Sequence, residues 1–209
     1  MSDHKIYRTP SAYSYPLLIK QLLNTLELRH PDQEIVYADR LRYTYRDFKK
    51  RVARLANLLT SMGVREGDTV AVLDWDSHRY LECFFAIPMI GAVLHPILGR
   101  IETVKDWVVI SESADDANSA IQFVGEYEAL LDTQPEVYDF ADFDEDLRAT
   151  IFYTTGTTGN PKGVYYSHRQ IVLHTLGKGL AMGSPAEQGR FHDQDVYMPL
   201  TPMFHAHAW

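Results

Sequence analysis

The stretch DTVAVLDWDSHRYLECFFAIPMIGAVLHPIL, residues 68–98, places a short apolar run, a longer mixed segment and a second apolar run in succession. The runs at 68–74 and 93–98 have the length of strands, whereas 78–92 is long enough for a largely buried helix. A strand, a helix and a strand at this spacing are typical of a βαβ unit, whose two strands run parallel. The stretch therefore predicts an α/β fold with a mostly parallel sheet and flanking helices.

The segments on either side of this unit fit the same fold class. Residues 45–62 place apolar side chains on one stripe of a helix, with Thr44 as its N-cap and Gly63 as its stop. Further predicted elements are helices at 17–28, 126–132 and 168–182 and strands at 34–38, 42–45, 107–111, 149–154, 162–167 and 196–200.

The composition indicates a globular protein and argues against two kinds of partner. Hydrophobic residues make up 45% of the 209 residues, and the formal net charge is −8. Nucleic acids and anionic membranes bind clustered Lys and Arg, which such a charge disfavours. The longest uncharged run, residues 83–99, is too short for a membrane helix and is interrupted by prolines. We therefore expect no transmembrane segment and no nucleic-acid partner.

The single cysteine, Cys83, rules out an intramolecular disulfide and a cysteine-based zinc site. It lies in the apolar sequence YLECFFAI, which predicts a buried packing residue. The first residues, MSDHKIYRTPSAYSYP, lack the basic-then-apolar pattern of a secretory signal. Both observations favour a cytoplasmic location.

An acidic segment, EVYDFADFDED at residues 136–146, carries regularly spaced aromatic residues. A cluster of carboxylates could hold a metal ion, but a solvated face is the simpler interpretation of such a run. We predict a surface connector that Tyr138, Phe140 and Phe143 pin to the body of the protein.

The sequence IFYTTGTTGNPKGVYYSHRQ, residues 151–170, places a loop rich in glycine and threonine between two predicted strands. Gly156, Gly159 and Gly163 allow several backbone N–H groups to point inward, and the threonine hydroxyls add further donors. Lys162 supplies a compact positive charge. Such a set of donors suits a polyphosphate. A plain hairpin turn needs neither the hydroxyls nor the lysine.

A Walker A loop is the obvious alternative, since it is also glycine-rich and ends in lysine. It requires the pattern G-x-x-x-x-G-K-[ST] at the start of a helix. Here Pro161 stands where the second glycine should be, Gly163 follows the lysine, and a strand follows the loop. Neither the residues of the loop nor the strand that follows it agree with a Walker A loop.

The motif YTTGTTGNPKGV resembles the phosphate-loop signature of the adenylate-forming, or AMP-binding, enzymes. The stretches LRYTYRDFKKRVARLANLLTSMGVREGDTVAVL and AIPMIGAVLHPI are similar to the N-terminal part of that family. VYMPLTPMFHAHAW resembles a later core motif in the form typical of medium- and long-chain fatty-acyl ligases. The resemblance covers most of the chain from about Leu17 to Trp209, and it implies the family's α/β N-terminal domain.

The resemblance implies a two-step ligase reaction with ATP, Mg²⁺ and coenzyme A. A fatty acid carboxylate attacks the α-phosphate of ATP to give an acyl-adenylate and pyrophosphate, and the coenzyme A thiol then displaces AMP. The family's phosphate loop closes over the β- and γ-phosphates, with a threonine hydroxyl on the metal ion. The residues that match it here are Thr154, Thr155, Gly156, Thr157, Thr158, Gly159 and Lys162, with Thr155 as the metal-contacting threonine.

Two further site residues follow from the same resemblance. His205 matches a histidine whose ring lies beside the acyl carboxylate in relatives, and Trp209 matches an aromatic residue that lines the acyl tunnel. A metal pair of His205 and His207 is disfavoured, because alternate residues at a helix start point to different faces. We expect His168, His174 and His192 to be capping or surface residues and not ligands.

The sequence departs from the family in two places. Near residues 98–100 a segment of roughly 30 residues or more, the size of a further strand and helix, is absent. The regions that complete the family's active site would follow Trp209. We therefore expect one N-terminal AMP-binding domain over residues 1–209, truncated at its C-terminal side, with an internal deletion and an exposed sheet edge.

Two functional hypotheses remain open on this basis. In the first, the chain is part of a fatty acid–CoA ligase that is inactive in isolation. In the second, it is a non-catalytic remnant or a module that binds a nucleotide or a partner. Self-association and a complementing C-terminal chain are the expected protein partners.

Overall fold

The computed structural model describes residues 7–96, 104–111, 122–154, 162–183, 191 and 195–203. Helices are interspersed with strands through these residues. The helices are α1 (Ile19–Arg29), α2 (Tyr45–Ser61), α3 (His78–Met89), α4 (Tyr127–Asp132) and α5 (His168–Met182). The strands are β1 (Glu34–Tyr37), β2 (Leu41–Thr44), β3 (Thr69–Val72), β4 (Val93–Pro96), β5 (Val108–Val109), β6 (Gly125–Glu126), β7 (Arg148–Thr154) and β8 (Lys162–Ser167).

The central sheet has four strands in the order β3-β4-β7-β8. β3, β4 and β7 run parallel, whereas β8 returns antiparallel to β7. β3, α3 and β4 form the βαβ unit predicted from residues 68–98, and the α/β fold class is confirmed. β1 pairs antiparallel with β2, and β5 pairs parallel with β6, each in a separate two-stranded sheet. β3 lies at an edge of the central sheet, where Leu73, which follows it, is 75% exposed.

Helix α2 forms where its apolar stripe and its cap predict it. The Thr44 side chain accepts a hydrogen bond from the Asp47 backbone N–H, and the Asp47 carboxylate accepts one from the Thr44 N–H, which completes a capping box. Phe48, Val52 and Leu55 are buried on one face of the helix. Beyond the helix, Gly63 has φ +88°, a conformation that a residue without Cβ adopts at little cost.

The core between α2, α3 and α4 contains a buried ion pair. Glu82 is fully buried, and its two carboxylate oxygens accept hydrogen bonds from Arg51 Nε at 2.6 Å and Arg51 Nη2 at 3.2 Å. The Tyr127 hydroxyl donates a third hydrogen bond to Glu82 at 2.7 Å. Burial and the neighbouring Glu82 raise the pKa of Tyr127 well above its usual value, so the phenol stays protonated as a donor. Through these hydrogen bonds Glu82 on α3 links α2 and α4 to its own helix.

A second carboxylate, Glu128 on α4, extends this network toward the surface. It accepts hydrogen bonds from Arg51 Nη2 at 2.8 Å and Arg79 Nε at 2.7 Å, and it lies 3.3 Å from His78 Nε2. Partial burial opposes its ionisation, yet these hydrogen bonds lower the pKa of Glu128 to about 2. Glu128 is therefore ionised at neutral pH.

The acidic segment at residues 136–146 runs along the surface, as predicted. Its aromatic residues are half-buried, with the Tyr138 and Phe140 rings 4.8 Å apart and the Phe143 ring 4.9 Å from the His168 ring. One of its carboxylates, Asp142, forms an ion pair with Lys20 at 2.6 Å. The described residues include no cluster of three or more side chains that could hold a metal ion.

Some boundaries differ from the sequence-based prediction. Residues 196–200 form no strand, and Val196 and Leu200 are 89% and 85% exposed. An apolar run becomes a strand only where a neighbouring backbone completes its hydrogen bonds, and no described strand pairs with this run. The predicted strand at 107–111 shrinks to Val108–Val109 for the same reason, because only two residues of β6 pair with it.

The histidine at the start of α5 is neither a cap nor a surface residue, so that prediction is wrong for His168. The cap is Ser167, and the His168 side chain is fully buried, with its Nδ1 accepting a hydrogen bond from the Ile19 N–H at 3.3 Å. The periodicity of α5 does not reveal that His168 is buried, because the residue packs against α1, which is distant in the sequence. His174 is exposed and Cys83 is buried, as predicted, while His192 lies outside the described residues.

Acid is expected to destabilise the fold through His168. Burial lowers its pKa from 6.5 to about 4, so between these values the unfolded chain binds a proton that the folded chain excludes. The free energy of unfolding should be intact above pH 6.5 and should fall by about 3 kcal/mol as the pH drops to 4. His95, whose pKa burial also lowers, adds to the same trend.

Urea unfolding at pH 7.0, 6.0 and 5.0 measures this dependence. His168→Asn keeps an acceptor for the Ile19 N–H but does not titrate, so its stability should change less over this range. His174→Asn, on the exposed face of the same helix, should follow the wild type. An equal pH slope in all three proteins would exclude His168 as the source.

Candidate functional site

The candidate site lies at the carboxyl edge of the central sheet. β3, β4 and β7 run parallel, so their last residues meet at one edge, where α/β proteins bind ligands. Adjacent strands lie roughly 4.8 Å apart, so the ends of β3 and β7 are separated by about 10 Å. Side chains from all three strand ends can therefore reach one ligand.

The glycine- and threonine-rich loop connects β7 to β8 at this edge. Thr154, the last residue of β7, is the register partner of Lys162, the first residue of β8. Residues 155–161 lie outside the described residues, but their ends are fixed by this pairing. Lys162 is exposed and stands at the base of the loop. The two strands thus hold the two ends of the loop next to each other at this edge of the sheet.

A ring contact joins β4 to the base of this loop. The His95 ring lies 5.4 Å from the Tyr153 ring, and Tyr153 directly precedes Thr154. Partial burial lowers the pKa of His95, which favours the neutral imidazole at neutral pH. Sequence reasoning did not single out this pair. Its only signal is that each residue stands near the carboxyl end of its strand.

The segment that precedes His205 is anchored at the end of β3. The Met203 backbone N–H donates a hydrogen bond to Asp76 Oδ1 at 2.5 Å, and the Met203 side chain is buried. Asp76 lies in the loop between β3 and α3, where Asp74 accepts a hydrogen bond from the Ser77 hydroxyl. Met203, within the second predicted motif, therefore lies near the carboxyl edge of the sheet, two residues before His205.

The structure thus places Thr154, Lys162 and Met203, one or two residues from each of the two predicted motifs, at one edge of the sheet. Thr154 and Lys162 are described, and Thr154 only as strand backbone. Outside the described residues lie Thr155, Gly156, Thr157, Thr158, Gly159, His205 and Trp209. The described residues include no group of three or more His, Cys, Asp or Glu side chains that could hold a magnesium ion. Among them, no helix is long and apolar enough to cross a bilayer.

Known sequences place this chain in a family. The family model for AMP-binding enzymes matches residues 26–104 and 98–209. A long-chain-fatty-acid–CoA ligase of Thermus thermophilus is 35% identical over 202 residues, which cover 80% of this chain and 35% of the relative. A medium-chain-fatty-acid–CoA ligase of Ectopseudomonas oleovorans is 27% identical, with 92% of this chain and 41% of the relative covered.

A solved structure shows the same fold. The N-terminal domain of FACL13 from Mycobacterium tuberculosis, determined with a bound inhibitor, has a TM-score of 0.68 at 24% identity, covering 91% of this chain and 52% of that one. At this identity the likeness supports the fold alone.

The chain is an α/β protein whose parallel strands end at the edge that carries the loop, and such edges are where α/β proteins bind ligands. Because the family model matches more than half of its residues, the chain belongs to the AMP-binding enzyme family. It spans less than half the length of the curated relatives that it matches.

Proposed function

We propose that this chain is the phosphate-loop portion of a fatty acid–CoA ligase. In this reaction a carboxylate attacks the α-phosphate of ATP, pyrophosphate leaves, and the acyl group passes from AMP to the thiol of coenzyme A. Membership in the AMP-binding family and similarity to a long-chain-fatty-acid–CoA ligase support the proposal. A reducing cytoplasmic location fits the free, buried Cys83.

One observation carries the proposal. Thr154 at the end of β7 pairs with Lys162 at the start of β8, and the sequence that joins them is TGTTGNP. A loop of glycines and hydroxyl donors flanked by an exposed lysine is suited to bind a polyphosphate. Asp76 holds the Met203 backbone near the same edge, two residues before His205. This position suits a second side chain that acts on the same ligand.

The proposed roles of the site residues follow from this placement. Residues 154–159 and Lys162 would bind and neutralise the β- and γ-phosphates, so that pyrophosphate becomes a better leaving group. Thr155 would contact Mg²⁺, His205 would lie beside the acyl carboxylate, and Trp209 would line the acyl tunnel. The fatty acid, ATP and coenzyme A are the proposed substrates.

The isolated 209-residue polypeptide should form little or no acyl-CoA. It spans less than half of its curated relatives, so much of their substrate-binding surface is not contributed by these residues. The measurement follows thioester formation from ATP, coenzyme A and saturated fatty acids from C8 to C16. Robust turnover would contradict this expectation and would show that these residues suffice for catalysis.

A second function, a non-catalytic remnant or a nucleotide- or partner-binding module, has one observation in its favour. The family model matches in two overlapping segments, 26–104 and 98–209, which meet where the sequence suggests an internal deletion near residues 98–100. Loss of a strand and a helix from the sheet would impair the active-site scaffold. Among the described strands none pairs with the outer side of β3, and such an edge would also favour self-association or pairing with a complementing chain.

The intact mass of the protein purified from its native cells separates the two functions. A mass well above 24.0 kDa would support the ligase, since the remaining active site would lie on the same polypeptide. A mass of 24.0 kDa, with no acyl-CoA formation, would favour the binding module.

A further inference from the structure

One face of the central sheet carries three residues close to the loop: His95 on β4, Tyr153 on β7 and Gly163 on β8. The register of the three strands places them on the same side, because partners in register share a face of the sheet. Tyr153 directly precedes Thr154, and Gly163 directly follows Lys162. Two of the three residues therefore adjoin the paired ends of the loop.

The Tyr153 ring lies between the two strands that flank β7. On one side its centroid is 5.4 Å from the centroid of the His95 ring, and the two ring planes are inclined by 50°. On the other side, a Cβ atom added to Gly163 would lie 3.4 Å from Tyr153 Cε1, so the ring reaches the backbone of this glycine. Tyr153 thus spans from β4 to β8 at the row that precedes the loop.

The backbone pairing between β4 and β7 stops before this row. In the described part of the sheet, the register of the two strands pairs Leu94 with Thr150 and no later residue of β7. Pro96, the last residue of β4, has no N–H group with which to extend the ladder. Among the described residues, the contact between the His95 and Tyr153 rings therefore joins β4 to the end of β7.

We propose that His95, acting through Tyr153, holds Thr154 and Lys162 in the geometry that binds the polyphosphate of ATP, a role that rests on the proposed function of the loop. Tyr153 and Gly163 are each one residue from the paired loop ends, so a shift of the ring displaces both ends together. Small displacements of groups that hold a reacting phosphate weaken their contribution. His95 is therefore a positioning residue.

The His95 side chain performs this role as an uncharged aromatic ring. Partial burial lowers its pKa, so the imidazole is mainly neutral at neutral pH. Phenylalanine also presents a flat ring to Tyr153, whereas alanine presents none. The two substitutions therefore separate loss of the ring from loss of the imidazole nitrogens.

ATP binding by the 209-residue protein, measured by calorimetry at neutral pH and constant magnesium concentration, tests the proposal. A ring pair contributes enough to change an equilibrium about two- to tenfold. His95→Ala should therefore weaken ATP binding about fivefold, whereas His95→Phe should stay within about twofold of the wild type. Tyr153→Ala should weaken binding about tenfold. The double variant His95→Ala/Tyr153→Ala should bind no more weakly than Tyr153→Ala, because His95 acts through that ring.

Tyr165→Ala is the matched control for Tyr153→Ala. Tyr165 lies on the same face of the sheet and is 45% exposed, against 47% for Tyr153. Its ring packs instead against Arg148, whose guanidinium carbon lies 4.2 Å from the ring centroid. Tyr165→Ala should leave the affinity for ATP unchanged. Both tyrosine variants should unfold at similar temperatures, so a difference in ATP affinity would not come from a difference in folding.

Three results would overturn the positioning role: ATP affinity unchanged in His95→Ala, equal weakening in His95→Phe and His95→Ala, or additive effects in the double variant. Lys162→Ala, measured alongside, separates this role from the proposed function of the loop. If Lys162→Ala weakens ATP binding and the ring variants do not, the positioning role is wrong and the proposed function stands. If the wild type binds no ATP, both are wrong.

Discussion

Replacing Arg51 with methionine should destabilise the folded protein by about 3–5 kcal/mol. The substitution keeps a long apolar side chain but removes the guanidinium group that pairs with Glu82, which has no exposure to solvent. A carboxylate left charged and unpaired in the core loses both its hydration and its partner. The free energy of unfolding, from urea titration monitored by circular dichroism, measures the effect.

The neighbouring Arg54 provides a matched control. It lies on the same helix, but its partners Asp132 and Glu136 are 73% and 47% exposed. Arg54→Met should cost less than about 1 kcal/mol. In the double variant Arg51→Met/Glu82→Gln the buried charge is gone and Tyr127 keeps an acceptor, so part of the stability should return. Equal losses in the Arg51 and Arg54 single variants would contradict the account of this core.

Lys162→Ala should slow adenylation by about 10²-fold in a protein that carries the complete active site. The lysine is exposed at the base of the hairpin loop. Its replacement therefore removes positive charge from the proposed phosphate site and leaves no cavity in the core. Exchange of labelled pyrophosphate into ATP, dependent on a fatty acid, measures the step in isolation. Thermal unfolding should be nearly unchanged, because the side chain makes no buried contact.

Lys178→Ala is the appropriate comparison for that variant. Lys178 is an exposed lysine on α5, so its replacement changes the net charge equally while leaving the loop intact. Its exchange rate should equal that of the wild type. An unchanged rate in Lys162→Ala would show that the loop serves another purpose.

The parts of the fold that were predictable depend on local signals. The βαβ unit follows from the length and polarity of residues 68–98, and α2 follows from its apolar stripe and from Thr44 as its cap. Capping and periodicity involve residues within a few positions of one another, so a single sequence reveals them. The glycine- and threonine-rich loop is predictable for the same reason, because the residues that supply its hydrogen-bond donors are contiguous in the sequence.

The remaining features depend on contacts between distant residues. Glu82 is a polar residue in a largely apolar helix, and only the packing of α2 and α4 against α3 shows that Arg51 and Tyr127 satisfy its carboxylate. The burial of His168 requires α1, and the anchoring of Met203 requires Asp76, which is distant in the sequence. Such contacts are set by tertiary packing, which periodicity does not encode.

Equilibrium binding of ATP to this protein tests most directly the claim that the β7–β8 hairpin holds a nucleotide polyphosphate. Calorimetric titrations would compare the wild type, Lys162→Ala and Lys178→Ala under identical salt and magnesium concentrations. The account predicts that Lys162→Ala weakens ATP binding at least tenfold while Lys178→Ala has no effect. Equal affinity in all three proteins, or no ATP binding by the wild type, would contradict it.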